Sequence, residues 1–192
     1  MKTINVITLC SGYDSQCLSL RYAHIPFDLV AWCEILPIAI QAHDAIFPEY
    51  SDRNLGDMTK VDWSKYKGKE IDLLTYSTPC QDISNEGAKK GLIEGTRSSI
   101  LWDTERAIKE LRSKVLLQEN VKALVNCKNA PNFERWRTIL EGYGYKNYYA
   151  VLNAKEYSGI PQNRERVFMV SLRDDYDHVR GGINSQTKQK AA

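Results

Sequence analysis

Residues 4–15, with the sequence INVITLCSGYDS, decide how this chain begins to fold. The first half is mostly apolar and predicts a buried strand at residues 4–10. The second half is polar and contains Gly12, which predicts a turn at residues 11–15. A helix is predicted next, at residues 16–23. A strand, a glycine-containing turn and a helix in this order are typical of the opening unit of an α/β sheet.

The alternation of strands and helices continues through the rest of the chain. Apolar runs and turn signals predict the other strands at residues 27–33, 71–76, 114–118, 148–153 and 167–172, and the other helices at residues 38–47, 98–111 and 133–142. A weak strand or extended piece is expected before a loop at residues 55–58. The alternation predicts an open, mostly parallel α/β sheet whose ligands lie at the carboxyl ends of the strands.

Composition limits the class of protein without indicating a ligand. The 192 residues, 43% of them hydrophobic, are enough for one domain, which we place at residues 1–176, followed by a disordered tail at residues 177–192. A net charge of +2 neither indicates nor excludes nucleic acid. The five cysteines are irregularly spaced, so we expect reduced thiols in a cytoplasmic protein and no metal site. No apolar run is long enough to cross a membrane, and no signal-peptide pattern is present.

Cys80 is the candidate nucleophile. It follows Pro79 at the end of a predicted strand, and proline restricts the backbone there, which helps to aim a side chain. Nucleophilic attack needs a thiolate in a partly exposed, electropositive setting. A single cysteine is more often a small buried side chain, and we give that role to the other four. The polar, glycine-containing stretch at residues 81–97 is long for a structureless loop, which favours a functional one.

Five short motifs distinguish Cys80 from the other cysteines. They are LCSG at residues 9–12, TPCQDIS at 78–84, GTRSSIL at 95–101, QENV at 118–121 and PQNRERV at 161–167. In order and spacing they resemble the motifs of the DNA cytosine-C5 methyltransferases, among them Pro-Cys-Gln-x-Phe-Ser, Glu-Asn-Val and Gln-x-Arg-x-Arg. One such motif is weak evidence, but several in order at predicted strand ends are strong. The resemblance covers residues 4–172 and implies a Rossmann-like sheet of the S-adenosylmethionine-dependent methyltransferase type.

The resemblance implies three catalytic residues, Cys80, Glu119 and Arg164. The Cys80 thiolate would add to C6 of cytosine, so that C5 can attack the methyl group of S-adenosylmethionine. Glu119, protonated or sharing a proton, would hydrogen-bond N3 and the exocyclic amine, and Arg164 would steady the oxygen side or the nearby carboxylate. The base that removes the C5 proton is left open between water and a side chain. Without Cys80, Glu119 and Asn120 would be interpreted as a helix-capping or turn pair, and Arg164 and Arg166 as part of a solvated face or a salt-bridged strand.

The same resemblance implies a site for S-adenosylmethionine. Ser11 and Gly12 would let the backbone approach the methionine part of the cofactor, and the Glu34 carboxylate would accept the ribose hydroxyls. Asp57 would contact the adenine amine, although a turn residue is nearly as good an interpretation of this aspartate alone. The remaining cofactor-binding positions are Met58, Pro79 and Leu101.

Double-stranded DNA is the implied substrate. A base inside a duplex is out of reach, so family members swing the cytosine out of the stack. The segment 81–97 resembles the loop that closes over the flipped base, although a flexible surface loop is the plainer interpretation. The residues implied to contact DNA or to form this loop are Gln81, Ser84, Arg97, Gln162 and Arg166.

The chain departs from the family pattern at several positions. Cys10 stands where the family has phenylalanine, Asp14 and Ser15 replace two glycines, and Ser158 is an extra residue. Family members also continue beyond the Gln-x-Arg-x-Arg motif with a target-recognition domain, which reads DNA bases, and a final helix. The missing part leaves three explanations open: a second polypeptide that carries the recognition domain, a truncated product, or a fragment.

Two other functions are kept as alternatives. One is a non-catalytic module that binds the cofactor or regulates a partner methyltransferase, and the other is a tRNA cytosine-C5 methyltransferase. The intact Cys80, Glu119 and Arg164 favour an enzyme over the module. The surrounding motifs look like those of ordinary bacterial DNA enzymes, which favours DNA over tRNA.

Overall fold

The computed structural model describes residues 1–78 and 100–176. Five of the predicted site residues lie outside the described residues: Pro79, Cys80, Gln81, Ser84 and Arg97. The expected loop at residues 81–97 and the expected tail at residues 177–192 lie outside them as well. The remaining predicted site residues, from Ser11 to Arg166, can be placed.

The described residues alternate between strands and helices. The strands are β1 (Ile4–Leu9), β2 (Phe27–Cys33), β3 (Leu73–Tyr76), β4 (Val115–Val121), β5 (Tyr145–Asn153) and β6 (Glu165–Arg173). The helices are α1 (Ser15–Tyr22), α2 (Pro37–Ile46), α3 (Ile100–Leu111), α4 (Ala130–Gly142) and the single turn α5 (Ala154–Tyr157). Short 3-10 helices cover Pro48–Arg53, Met58–Lys60, Trp63–Tyr66, Lys122–Val125 and Asp174–Tyr176.

The strands form one six-stranded sheet in the order β2-β1-β3-β4-β6-β5. Neighbouring strands from β2 to β4 are parallel, whereas β6 is antiparallel to both β4 and β5. The prediction of an open, mostly parallel, Rossmann-like α/β sheet is therefore confirmed. Because β1, β2, β3 and β4 run in the same direction, the loops that follow them meet at one edge of the sheet, where ligands of such folds bind.

The two faces of the sheet are covered differently. On the first face, α3 and α4 pack on side chains such as Leu74, Leu116 and Met169, all of which are buried. On the second face, α1 and α2 cover the β1 and β2 side with a cluster around Trp32 and Phe47. The second face of β4 and β6 is less covered, since Leu117, Phe168 and Val170 remain half-buried there.

The structure refines two sequence expectations. The weak strand or extended piece expected before residue 55 is the extended residue Asn54, which forms one parallel bridge with Trp32, because Pro48–Arg53 before it forms a 3-10 helix that Pro48 begins. Helix α1 begins at Ser15 rather than at Gln16, because the Asp14 side chain caps it by accepting a hydrogen bond from the Cys17 backbone N–H. None of the helices within residues 1–78 and 100–176 is long and apolar enough to span a membrane.

Candidate functional site

The loop between β1 and α1 has an unusual backbone. Cys10, Gly12 and Asp14 all have positive φ angles, of 51°, 59° and 64°. Glycine adopts this left-handed conformation without a steric cost, which explains its presence at position 12. Ser11 ties the loop to the end of β2, because its backbone N–H and its hydroxyl both donate to the Cys33 carbonyl, at 3.1 and 3.3 Å.

Glu34 connects this loop with the segment that follows β2. One carboxylate oxygen accepts the Gly12 backbone N–H at 2.8 Å. The other accepts the N–H groups of Ile35 and Leu36, at 2.8 and 2.9 Å. The Glu34 residue is only 9% exposed, so these hydrogen bonds hold the carboxylate at the carboxyl edge of the sheet.

Asp57 and Met58 lie in the next loop along the chain. The Asp57 carboxylate caps the Met58–Lys60 turn, because it accepts hydrogen bonds from the backbone N–H and the hydroxyl of Thr59, at 3.0 and 2.8 Å. These hydrogen bonds lower the pKa of Asp57. The contacts are those of a turn residue, and the contact with adenine stays a prediction. The Met58 sulfur lies 3.6 Å from the Cys10 sulfur, which places this turn beside the β1 loop.

Glu119 is paired with an arginine of the neighbouring strand. Because β4 and β6 are antiparallel, Val121 lies opposite Arg166 and Glu119 opposite Phe168. Across this register Arg166 Nε lies 3.1 Å from Glu119 Oε1, and both side chains are about a quarter exposed, at 22% and 23%. The sequence analysis gave Arg164 either the oxygen side of the base or the nearby carboxylate, and placed Arg166 in the DNA or loop group. The contact with the Glu119 carboxylate is made by Arg166, and the role of Arg164 on the oxygen side stays a prediction.

A cleft of about 940 Å³ brings several predicted site residues together. Its lining includes Ser11 and Gly12 of the β1 loop, Glu119 of β4, and Arg164 and Arg166 near the start of β6. The cleft therefore brings two of the predicted cofactor residues close to the predicted catalytic residues that the structure describes, whereas Glu34, Asp57, Met58 and Leu101 are not among its lining residues. The positions of two other predicted site residues do not indicate a role in binding. Gln162 is exposed, and Leu101 packs against the core at the start of α3.

Two polar residues to which the sequence analysis gave no role at the site contact the residues that follow β3. The Asn120 side chain donates to the Thr78 carbonyl at 3.2 Å, and the Gln16 side chain donates to the Ser77 hydroxyl at 3.0 Å. Asn120 stood within the Glu-Asn-Val motif, which could have indicated it. Gln16 carries no such signal, because its partner is distant in the sequence.

The described cysteines differ in their surroundings. Burial raises the pKa of Cys10 and of Cys33 to about 12, and burial also raises the pKa of Cys17. These three thiols stay protonated at neutral pH and are poor nucleophiles. Cys127 is exposed. Within residues 1–78 and 100–176, no cluster of three or more His, Cys, Asp or Glu side chains could hold a metal ion.

Known proteins are similar in sequence to this chain over part of their own length. The type II methyltransferase M2.ScrFI of Lactococcus lactis subsp. cremoris is 46% identical over 123 residues, which are 63% of this chain and 33% of that protein. The orphan methyltransferase M.Rho11sI of Bacillus phage rho11s is 33% identical over 175 residues, which are 91% of this chain and 34% of that protein. The chain thus spans about a third of the length of these relatives.

Solved structures share the fold. The Entamoeba histolytica methyltransferase EhMeth matches with a TM-score of 0.76 at 20% identity, over 100% of this chain and 58% of that one. At this identity the match establishes the architecture alone, a methyltransferase-type α/β sheet. The sequence gives the narrower assignment. The model of the C-5 cytosine-specific DNA methylase family matches residues 4–192, and the chain belongs to this family.

Proposed function

We propose that residues 1–176 form the S-adenosylmethionine-binding catalytic domain of a DNA cytosine-C5 methyltransferase. The order of the strands carries this proposal. β3 lies between β1 and β4, so the chain leaves β3 between the Ser11–Gly12 loop and Glu119. Cys80 follows Thr78 by two residues, a reach of about 7 Å. A nucleophile at this point would stand between a cofactor loop and a base-binding carboxylate.

The residues around Gly12 and Glu34 fit S-adenosylmethionine. A Cβ added at Gly12 would meet nothing within 4 Å, so there is space beside the loop backbone. Glu34 accepts three backbone N–H groups, and a carboxylate has about four acceptor sites. Glu34 therefore keeps acceptor capacity for a ribose hydroxyl. When bound, the cofactor supplies a methyl group on a positively charged sulfur.

The proposed chemistry assigns a role to each side chain at the base. The Cys80 thiolate bonds to C6 of a flipped cytosine, and the displaced ring electrons make C5 nucleophilic. Glu119, carrying or sharing a proton, hydrogen-bonds N3 and the exocyclic amine, while Arg166 holds its Oε1 at 3.1 Å. Arg164, which lines the same cleft, is assigned to the oxygen side of the base. Once C5 has taken the methyl group, a base removes its proton and the thiolate leaves.

Double-stranded DNA is the proposed substrate, and a second polypeptide with a target-recognition domain is the proposed partner. The matched stretches make up 33% of one relative and 34% of the other. A protein that recognises a particular DNA sequence contacts the edges of the bases. We assign those contacts to the partner and the chemistry to this chain.

The test is methyl transfer from S-adenosylmethionine with a labelled methyl group. The chain is incubated with duplex DNA or with tRNA, alone and with extract from its host. We expect the chain to add labelled methyl groups to the DNA. This added label should be absent with Cys80→Ser and present with the matched variant Cys127→Ser. Label in tRNA only would replace the substrate. No transfer under any condition, with the cofactor still bound, would favour the non-catalytic module.

A further inference from the structure

Asp14 occupies a backbone position that disfavours most side chains. Its φ and ψ angles are 64° and 55°, in the left-handed region. Aspartate tolerates this region better than most residues because its short side chain can hydrogen-bond locally. The loop has no glycine at this point, so the contacts of the carboxylate offset the conformational cost.

Those contacts reach three elements of the fold. The Asp14 side chain is completely buried. One oxygen accepts the Thr8 hydroxyl of β1 at 2.7 Å, and the other accepts the Cys17 N–H of α1 at 3.4 Å. His43 Nε2 of α2 lies 3.9 Å from the first oxygen. A single carboxylate therefore contacts β1, α1 and α2 behind the cleft.

His43 is held in place independently of Asp14. Its ring stacks on Trp32, with 3.6 Å between ring centroids and 20° between the planes. Its Nδ1 faces Asp44 Oδ1 at 3.4 Å. Among the described residues its Nε2 has no hydrogen-bond partner, which leaves the face toward Asp14 available. The His43 ring is thus held in place beside the Asp14 carboxylate.

The position of Asp14 sets the position of Gly12. The Asp14 backbone N–H donates to the Ser11 carbonyl at 2.8 Å, which closes a tight turn around Gly12. Ser11 is anchored at the other end on the Cys33 carbonyl. Between these anchors the Gly12 N–H meets Glu34 at 2.8 Å. Movement at Asp14 would therefore change the geometry of the proposed cofactor loop.

We propose that Asp14 is a positioning residue of the cofactor site, whose buried carboxylate fixes the turn that presents Gly12 to Glu34 and to S-adenosylmethionine. The cofactor part of this inference rests on the proposed function. Asp14 does not touch the cofactor in this account. It acts through the loop backbone.

Two substitutions at Asp14 separate its effects. Asp14→Gly suits the positive φ angle but removes the carboxylate, and we expect S-adenosylmethionine to bind about tenfold more weakly by calorimetry. Asp14→Asn keeps the shape, the cap and the tolerance of this backbone region, so affinity should return to within about twofold of the original. The matched control is Asp62→Gly, because Asp62 caps another turn through Ser64 and should leave cofactor affinity unchanged.

A second measurement does not depend on the cofactor. Hydrogen exchange at the Gly12 amide is measured in the same four proteins without ligand, below their unfolding temperatures. Faster exchange at Gly12 in Asp14→Gly, with protection kept in Asp14→Asn and Asp62→Gly, would support the inference. If none of the four proteins binds S-adenosylmethionine, that result would overturn only the proposed function. Equal Gly12 exchange in all four proteins would overturn the inference, as would original cofactor affinity in Asp14→Gly.

Discussion

Glu34 holds two loops together at the carboxyl edge of the sheet. It joins the β1 loop to the segment after β2 through three backbone N–H groups, one of them from Gly12. The position of Glu34 directly after the predicted second strand indicated that its carboxylate lies at the carboxyl edge of the sheet. The hydrogen bonds to Ile35 and Leu36 could not be predicted, because they depend on how the chain turns after residue 34.

The first prediction concerns Glu34→Gln. An amide nitrogen cannot accept a hydrogen bond, so N–H groups on one side lose their partner, at a cost of about 1–3 kcal/mol. We expect a lower free energy of unfolding in urea and about tenfold weaker binding of S-adenosylmethionine by calorimetry. The control is Glu49→Gln, because Glu49 forms an exposed ion pair with Arg21 and such pairs contribute little. Equal effects of both substitutions would contradict the role of Glu34.

The second prediction concerns the thiols. Iodoacetamide reacts with the thiolate form, and burial raises the pKa of Cys10 and Cys33 to about 12. In the folded protein near neutral pH, we expect the exposed Cys127 to be alkylated well before these two, as measured by mass spectrometry of peptides. Alkylation of Cys10 and Cys33 should accelerate as the pH rises, and the differences should disappear in denaturant. Early labelling of Cys10 in the folded protein would argue against its burial.

At the scale of elements, β4 faces two different environments. Leu116 is fully buried on the face that α3 and α4 cover, whereas its neighbour Leu117 is half-buried and lines the cleft. Neighbouring residues of a strand point to opposite faces of the sheet. Substitutions at Leu116 and Leu117 therefore test the packing of the two faces of the sheet separately.

The third prediction compares Leu116→Ala with Leu117→Ala. The first substitution leaves a cavity in a packed core and should lower the free energy of unfolding by about 2–5 kcal/mol. The second removes a side chain that is already partly solvated, so we expect a loss of about 1 kcal/mol. Urea unfolding followed by circular dichroism measures both values. Similar losses would mean that the two faces are equally well covered.

The pairing of β4 with β6 leads to the fourth prediction. Because Arg166 contacts Glu119, Arg166→Ala should slow covalent capture of cytosine by about tenfold or more without weakening S-adenosylmethionine binding. Arg164→Ala, the matched variant two positions earlier, should slow it less, because this substitution leaves the contact between Arg166 and Glu119 in place. Capture is measured as adduct formation over time. A larger effect of Arg164→Ala than of Arg166→Ala would contradict this prediction.

Sequence patterns predicted elements better than they predicted contacts between them. The apolar run FDLVAWC gave β2 with the bounds that the structure has, Phe27–Cys33. The 3-10 helix Pro48–Arg53 was missed because it has no periodicity of its own. The contact between Arg166 and Glu119 was missed because it requires the register of two antiparallel strands that are distant in the chain. Asp14 was noticed as a replaced glycine, but its three partners lie on three elements.

At the scale of the whole molecule, the strand order brings distant motifs to one edge of the sheet. β3 lies between β1 and β4, which places the proposed cofactor loop and Glu119 on either side of Ser77 and Thr78, the residues that follow β3. We expect sequence choice to depend on the proposed partner and the chemistry to depend on this chain.

The most direct measurement of the central claim is covalent capture on duplex DNA that contains 5-fluorocytosine. Fluorine at C5 prevents the proton removal that normally releases the thiolate, so the bond to C6 persists. With S-adenosylmethionine, and with host extract where the partner is needed, we expect a chain–DNA adduct that survives denaturant. The adduct should disappear in Cys80→Ser and persist in Cys127→Ser. An adduct that persists in Cys80→Ser, or none under any condition from a chain that binds the cofactor, would contradict the account.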